Sequence, residues 1–379
     1  MKIPAPCMLL VGLFALAAAG SASAAPMKTV VPSALVLDAA SHPAAEHPWP
    51  SLASAPSAAL LAHDDRYRHD ERWHDHRDDW RREQPDLLNG NLGRAANPLQ
   101  DIRRSHALMA AMDRVFHDLH RQGLLLLANV ADAGGARLVE RQGSKAVATS
   151  SAAVAWSHGY QDGDKLPLAL LAGTVESMAR VLNVPLTVDI EGGYSDAPEQ
   201  VAKVVETVIA AGAVGINIED GTHPPEQLLR KLDAARNAAS QRGVDLFINV
   251  RSDVYLKHLL PAEQRLEELL RRATQYAAGG ANGLFAAGVV EPGEIATLCR
   301  EVTLPVNLLW RAGLPSSAEL QRLGVRRLSA GSSIAEFLYG AMSGLTQRFL
   351  ENGQLDTSGL KAHSYAELNA LMATKADNT

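Results

Sequence analysis

Val188-Asp189-Ile190-Glu191-Gly192-Gly193-Tyr194 and Ile216-Asn217-Ile218-Glu219-Asp220 decide how this chain is read. Each is an apolar run of β type that ends in carboxylates. A carboxylate taken out of water without a partner is costly, so buried strands normally avoid one. Acids at the ends of successive strands therefore point to a shared cation. Oxygen ligands around an open position suit Mg²⁺, which keeps waters and takes up substrate oxygens. Mn²⁺ accepts the same donors.

Working outward from these stretches, strands and helices alternate from Asp101 onward. Apolar runs predict eight strands over 124–130, 146–150, 185–191, 214–219, 245–251, 283–288, 305–310 and 325–330. Amphipathic helices are predicted between most of them, over 198–211, 225–241, 262–278, 292–301 and 316–323, with further helix over 335–372. Pro or Ser opens these helices, and Gly often follows them, as end caps require. An earlier helix over 102–120 sets Leu108, Met112, Val115, Phe116 and Leu119 on one face. Near-continuous apolar strands are buried on both sides, which means a parallel sheet. Eight βα units over about 230 residues have the size of a (β/α)₈ barrel. The expected class is thus α/β, a (β/α)₈ barrel with additional C-terminal helices, ranked above a doubly wound sheet. The expected divisions are 1–24, 25–100, 101–355 for the barrel and 356–379 for a tail or helix.

In such a barrel the site lies at the C-terminal ends of the strands. Polar residues gather there along the chain: Asn129 and Asp132, Thr149 to Ser151, Asp189 and Glu191, Glu219 and Asp220, Arg251 and Asp253, Asn307 and Arg311, and Ser329. Asp189 and Glu191 are two apart, so on one strand both point to the same side. With Glu219 they make three acids in one mouth, and like charges there raise at least one pKa. Arg251 offers a permanently charged planar fork for a carboxylate or phosphonate. Ser150, Ser151 and nearby N–H groups suit a second anionic group. Cation, fork and hydroxyl pocket together describe a site for a small dianionic oxo acid. A lone acid at a strand exit is more often a helix N-cap, the expectation for Asp196, Asp220 and Asp132. Arg251 alone also suits an ion pair with Asp253 or Glu219.

Hydrophobic residues make up 47% of the 379, enough for a sizeable core. A net charge of −6 gives no footprint for nucleic acid. The only cysteines are Cys7 and Cys299, the latter read as core packing on a helix. Lys2, the apolar run from Cys7 to Gly20 and Ala22-Ser23-Ala24 read as an export signal, too short for a membrane span. That implies a periplasmic or secreted protein. The other reading is a start codon near Met109 or Met112 and a cytoplasmic protein. Residues 63–86 carry His63, His69, His74 and His76 among Asp and Arg. Their spacing matches no metal motif, and a solvated mixed-charge linker is expected.

The stretches ATSSAAVAWSHGYQDGD, VDIEGGYSD, GINIEDG, FINVRSDVYL, AGGANGLFAAG and PVNLL resemble the isocitrate lyase/phosphoenolpyruvate mutase superfamily, in its phosphoenolpyruvate mutase-like branch. The resemblance spans about residues 101–355 and implies specific roles. Asp189, Glu191 and Glu219, with Asp162 as a further acid, would surround Mg²⁺. Ser150 with the Ser151 and Ala152 amides, and Asn307, would meet a substrate carboxylate or phosphoryl group. Arg251 would clamp the substrate. Members act on 2-oxo acids by breaking or making C–C or P–C bonds beside the oxo group, and assemble as dimers or tetramers that swap the last barrel helix. One departure matters. Isocitrate and methylisocitrate lyases carry a catalytic Cys in the loop after strand four. Here that loop reads Asp220-Gly221-Thr222-His223-Pro224-Pro225 and has none. His223 is the candidate substitute acid/base. The expected activity is a Mg²⁺-dependent lyase or hydrolase that cleaves a C–C bond next to the oxo group through an enolate. The alternatives are P–C chemistry and a non-catalytic exported oxo-acid binding protein.

Overall fold

Nine parallel strands form a nearly closed barrel in the computed structural model, which describes residues 98–373. The export signal, most of the linker with its four histidines, and Cys7 lie outside the described residues. The strands are β1 (Leu125–Leu127), β2 (Asn129–Val130), β3 (Val147–Thr149), β4 (Leu186–Asp189), β5 (Gly215–Glu219), β6 (Phe247–Ser252), β7 (Gly283–Ala286), β8 (Val306–Leu309) and β9 (Arg327–Ser329). Their order is β1-β9-β8-β7-β6-β5-β4-β3-β2. The expected first strand over 124–130 is two short pieces interrupted at Ala128. One piece pairs with β9 and the other with β3, which brings the two ends of the sheet together. Asn129 bridges this seam. Its Nδ2 donates to the Thr149 carbonyl at 2.7 Å, and its Oδ1 accepts from Gly331 N at 2.9 Å.

The helices are α1 (Pro98–Leu119), α2 (Ala133–Arg141), α3 (Ser151–Ser157), α4 (Leu168–Val181), α5 (Pro198–Ala210), α6 (Pro225–Gln241), α7 (Ala262–Ala278), α8 (Pro292–Glu301), α9 (Ser317–Leu323), α10 (Ser333–Asn352) and α11 (Tyr365–Met372). Three of them open with Pro at N1 or N2, where its missing N–H costs nothing. Helix α1 begins at Pro98, slightly before the expected boundary at 101. Its single expected apolar face is corrected: Leu108 and Val115 are exposed, whereas Phe116 is fully buried. The Phe116 ring stands edge-on to Phe247 on β6, with centroids 5.4 Å apart. Gly215 makes this close approach feasible, since a Cβ there would meet the Phe116 ring at 2.6 Å.

Helix α5 buries Val201, Val204, Val205, Val208 and Ile209 against the sheet. Each such side chain contributes about 1.5–3 kcal/mol relative to exposure. Cys299 on α8 packs against the core as expected, and burial pushes its thiol up to about 11. None of the described helices is long and apolar enough to cross a membrane.

Candidate active site

Strand register builds the site. In this parallel sheet Glu219 at the end of β5 lies beside Arg251 on β6, and Asp189 at the end of β4 lies beside Asn217 on β5. Register partners on neighbouring strands point to the same face, so the carboxylates and the guanidinium meet at the C-terminal mouth. Arg251 Nη1 lies 2.7 Å from Glu219 Oε2. Arg251 Nε and Nη2 donate to the two oxygens of Asp253, at 2.7 and 3.2 Å. Both structural ion pairs weighed for Arg251 are therefore present, within the mouth itself.

The reason given for Glu191 needs correction. Strand β4 stops at Asp189, so strand alternation does not aim Glu191. Its backbone is left-handed, with φ 52°, as is that of Tyr194, with φ 60°. Non-glycine residues avoid this region unless the surroundings hold them there. The surroundings are the loop before α4: Gly163 N donates to Glu191 Oε2 at 2.7 Å, and Asp164 N donates to the same oxygen. Glu191 is 5% exposed, and its other oxygen, Oε1, has no hydrogen-bond partner among the described residues. Asp189 accepts from the Glu191 and Ser151 backbone N–H groups.

Charge follows this geometry. Burial raises the Asp189 carboxyl, against attraction from Arg251. Burial, with repulsion from Asp162, Asp164 and Asp189, pushes Glu191 up to about 7 against its backbone hydrogen bond. Burial pushes Glu219 up to about 8, with Asp253 and Asp189 repelling it and Arg251 and Lys257 opposing the rise. Raised carboxylates bind more protons folded than unfolded, so their stability contribution is lost as pH rises from about 4.5 through 7 and 8. The metal-free protein is expected to lose up to about 3 kcal/mol relative to Glu191→Gln between pH 5 and 8.5. Paired denaturant titrations measure that difference, and a difference that stays flat or grows in favour of the wild type contradicts it.

The other predicted residues divide. Ser150 Oγ caps α3 by accepting from Ala153 N at 3.3 Å, with Ser151 and Ala152 beginning that helix. Asp162 is exposed in the loop before α4, close enough for its charge to raise Asp189 and Glu191. His223 is exposed on the rim, and its carbonyl accepts from Arg272 Nη1 at 3.3 Å. Asn307 lies inside the barrel, 1% exposed, with Oδ1 accepting from Ser329 Oγ at 3.2 Å.

The N-cap readings hold only for Asp132, which accepts from Gly135 N at 2.6 Å. Asp196 accepts from Gln227 and Lys231 side chains, and the N-cap position of α5 is Ala197, which has no side-chain cap to offer. Asp220 is 2% exposed and serves as a buried hub. It accepts from Ser252 Oγ, Asp253 N, Arg272 Nη1 and Tyr276 OH at 2.7–2.8 Å. Through Asp253 N it fixes the carboxylate that orients Arg251. Sequence reasoning missed this hub because its donors are distant in the chain: two come from the end of β6, 32 and 33 residues away, and two from α7, 52 and 56 residues away.

It also missed Asp164, Tyr194 and Lys257, which line the mouth. Asp164 Oδ1 accepts from Tyr194 N at 3.0 Å, joining the two left-handed turns. Lys257 Nζ lies 2.9 Å from Asp253 Oδ2 and 3.9 Å from Glu219 Oε1. The mouth encloses about 410 Å³, the scale of a small-molecule site.

The donor set is all carboxylate oxygen, which suits Mg²⁺ or Mn²⁺ over softer metals. The unpartnered Glu191 Oε1 and three raised carboxyl groups are what a cation would relieve. Among the described residues no three His, Cys, Asp or Glu side chains converge to hold an ion by themselves. Mg²⁺ suits such a partial shell, because it keeps several waters and takes one or two carboxylates.

The chain matches the phosphoenolpyruvate phosphomutase family over residues 116–350. An uncharacterized protein of Mycobacterium tuberculosis is 36% identical over 220 residues, 57% of this chain and 81% of that one. Oxaloacetate decarboxylase 1 of Pseudomonas fluorescens is 23% identical over 278 residues, 71% of this chain and 92% of that one. The crystal structure of a provisionally assigned phosphonomutase of Burkholderia cenocepacia superimposes with a TM-score of 0.60 at 40% identity, covering 62% of this chain and 99% of that one. The chain belongs to the phosphoenolpyruvate phosphomutase family and is an enzyme of the lyase and mutase type within the isocitrate lyase/phosphoenolpyruvate mutase superfamily.

Proposed function

We propose that this enzyme cleaves a C–C bond next to the oxo group of a small 2-oxo acid such as oxaloacetate, with Mg²⁺ as cofactor. The observation that carries this reading is the meeting of acids and a guanidinium at the strand ends: Glu191 and Glu219 line one cavity, Arg251 lies 2.7 Å from Glu219, and Asp189 is close enough to feel the Arg251 charge. A bound Mg²⁺ would supply Lewis-acid polarisation of the oxo oxygen and charge neutralisation, and Asp189, Glu191, Glu219 and Asp162 are the side chains to hold it, partly through water. Arg251 has two of its five N–H donors left over from Asp253 and Glu219, enough to orient one substrate carboxylate. For oxaloacetate the bond to the distal carboxylate breaks, that carboxylate departs as CO₂, and the electron pair stays on the carbon beside the oxo group as the enolate of pyruvate. His223 on the rim is the candidate to move a proton at that carbon. Oxaloacetate decarboxylase 1 among the relatives favours this chemistry.

The test is pyruvate release from oxaloacetate with and without Mg²⁺, followed by coupled absorbance. Release that needs Mg²⁺ supports the reading, and none above the uncatalysed rate discards it. The phosphonomutase likeness favours a second reading, P–C cleavage, which phosphate release from phosphonopyruvate would promote.

We also propose a homodimer or homotetramer. Helix α10 buries only Ala335, and Phe337, Leu338, Met342 and Leu350 are 54–78% exposed. Exposed apolar surface on this scale marks an interface. A groove beside β1, lined by Leu124, Leu126, Val139, Trp310 and Leu328, is the place for the α10 of a second copy. Light scattering is expected to give a dimer or larger at micromolar concentration, and a monomer for Phe337→Lys/Leu338→Lys. A wild-type monomer would end the proposal.

A further inference from the structure

We propose that Lys257 is the specificity-determining cation of this site, receiving the carboxylate at the far end of a dianionic substrate. The inference deepens the proposed function and rests on its reading of the mouth as a substrate site. Its basis is the unequal way in which one buried carboxylate holds two cations. Asp253 is 0% exposed. It binds Arg251 through both oxygens, and it binds Lys257 Nζ at 2.9 Å through Oδ2 alone. Arg251 is additionally tied to Glu219 at 2.7 Å and is fixed in the wall.

Lys257 is the loose member of the pair. Its nearest other carboxylate oxygen, Glu219 Oε1, is 3.9 Å away, beyond hydrogen-bond range. An ammonium has three donors, and Asp253 takes one of them. The side chain is 40% exposed and stands on the turn that follows β6. Its flexible four-carbon stem lets the head group swing, as a guanidinium held bidentately does not.

Gly221, in the short loop between β5 and α6, lines the same cavity as Lys257, and a Cβ there would lie 3.5 Å from Lys257 Nζ, so the loop backbone runs close to the ammonium. The other lysine lining the mouth is engaged differently. Lys231 is 4% exposed and donates to the Gly192 carbonyl at 2.8 Å and to Asp196 at 3.3 Å. Arg251 can meet one carboxylate, and Lys257 is the cation left to meet a second. A monoanion would fill the Arg251 position and leave Lys257 on Asp253.

The test compares wild type, Lys257→Met and Lys257→Arg in KM for oxaloacetate and in inhibition of its turnover by succinate and by monomethyl succinate, which lacks the second charge. A charge-assisted hydrogen bond corresponds to roughly 10–100-fold in affinity. Lys257→Met is expected to raise KM for oxaloacetate and the inhibition constant of succinate by roughly that factor, with kcat within about threefold and inhibition by the monomethyl ester unaffected. Lys257→Arg is expected to recover most of the loss. Equal losses of inhibition by succinate and by its ester, or an unchanged KM for oxaloacetate, would overturn the assignment. A second arm needs no turnover: calorimetry with succinate and its monomethyl ester in the presence of Mg²⁺. A wild-type preference for succinate that Lys257→Met removes upholds Lys257 even where no oxo acid is cleaved, a result that would overturn only the proposed reaction. No preference in the wild type overturns the assignment of Lys257.

Discussion

Asp189→Asn is expected to lower turnover of oxaloacetate by about 10²–10³-fold, the scale set by removing one preorganised electrostatic contact from a transition state. The fold should survive. Burial already raises the Asp189 carboxyl, and an amide of the same shape removes the cost of holding a charge there. It also keeps an oxygen for the N–H groups of Glu191 and Ser151. The expected signature is therefore a collapse of kcat with a melting temperature equal to or above that of the wild type. Turnover within tenfold of wild type would remove Asp189 from the chemistry.

Arg251→Met carries the largest expected cost in stability, about 3–5 kcal/mol, the range for breaking a buried ion pair on one side. The reason is Asp253, fully buried and then left with Lys257 as its only side-chain partner among the described residues. Activity should vanish as well, because the same guanidinium is the carboxylate clamp. The two roles separate in the double variant Arg251→Met/Asp253→Asn. Neutralising the orphaned acid should restore at least half of the lost stability in urea titrations and none of the turnover. Recovery of activity in the double variant, or no destabilisation in the single one, would contradict the pairing.

The barrel was legible because parallel strands buried on both faces read as uninterrupted apolar runs, and Pro at helix starts marked where each crossover begins. Helices α6, α7 and α8 fall on the residues expected of them. Helices α2, α3 and α4 were not among the helices named from the sequence: α2 is short and opens on Ala-Gly-Gly, α3 is seven residues, mostly Ala and Ser, and α4 has no side-chain cap at its start. Among candidate site residues, Asp189, Glu219 and Arg251 were visible as charges closing apolar strands. Glu191 was found for a partly wrong reason, since its aim comes from a left-handed turn and two loop amides. Asp220 looked like a helix cap because single-sequence reading sees local offsets. Its role comes from β6 and α7 partners that only the closed barrel brings near. Lys257 carries no local signal in the sequence, because what marks it is its pairing with the buried Asp253.

Mn²⁺ titration followed by electron paramagnetic resonance, with oxalate as the oxo-acid mimic, tests the shared cation most directly. One ion per chain is expected for the wild type, tightened by oxalate and lost in Asp189→Asn. Mn²⁺ that stays free at every concentration with oxalate present, or that binds Asp189→Asn as tightly as wild type, would contradict a metal held in this mouth.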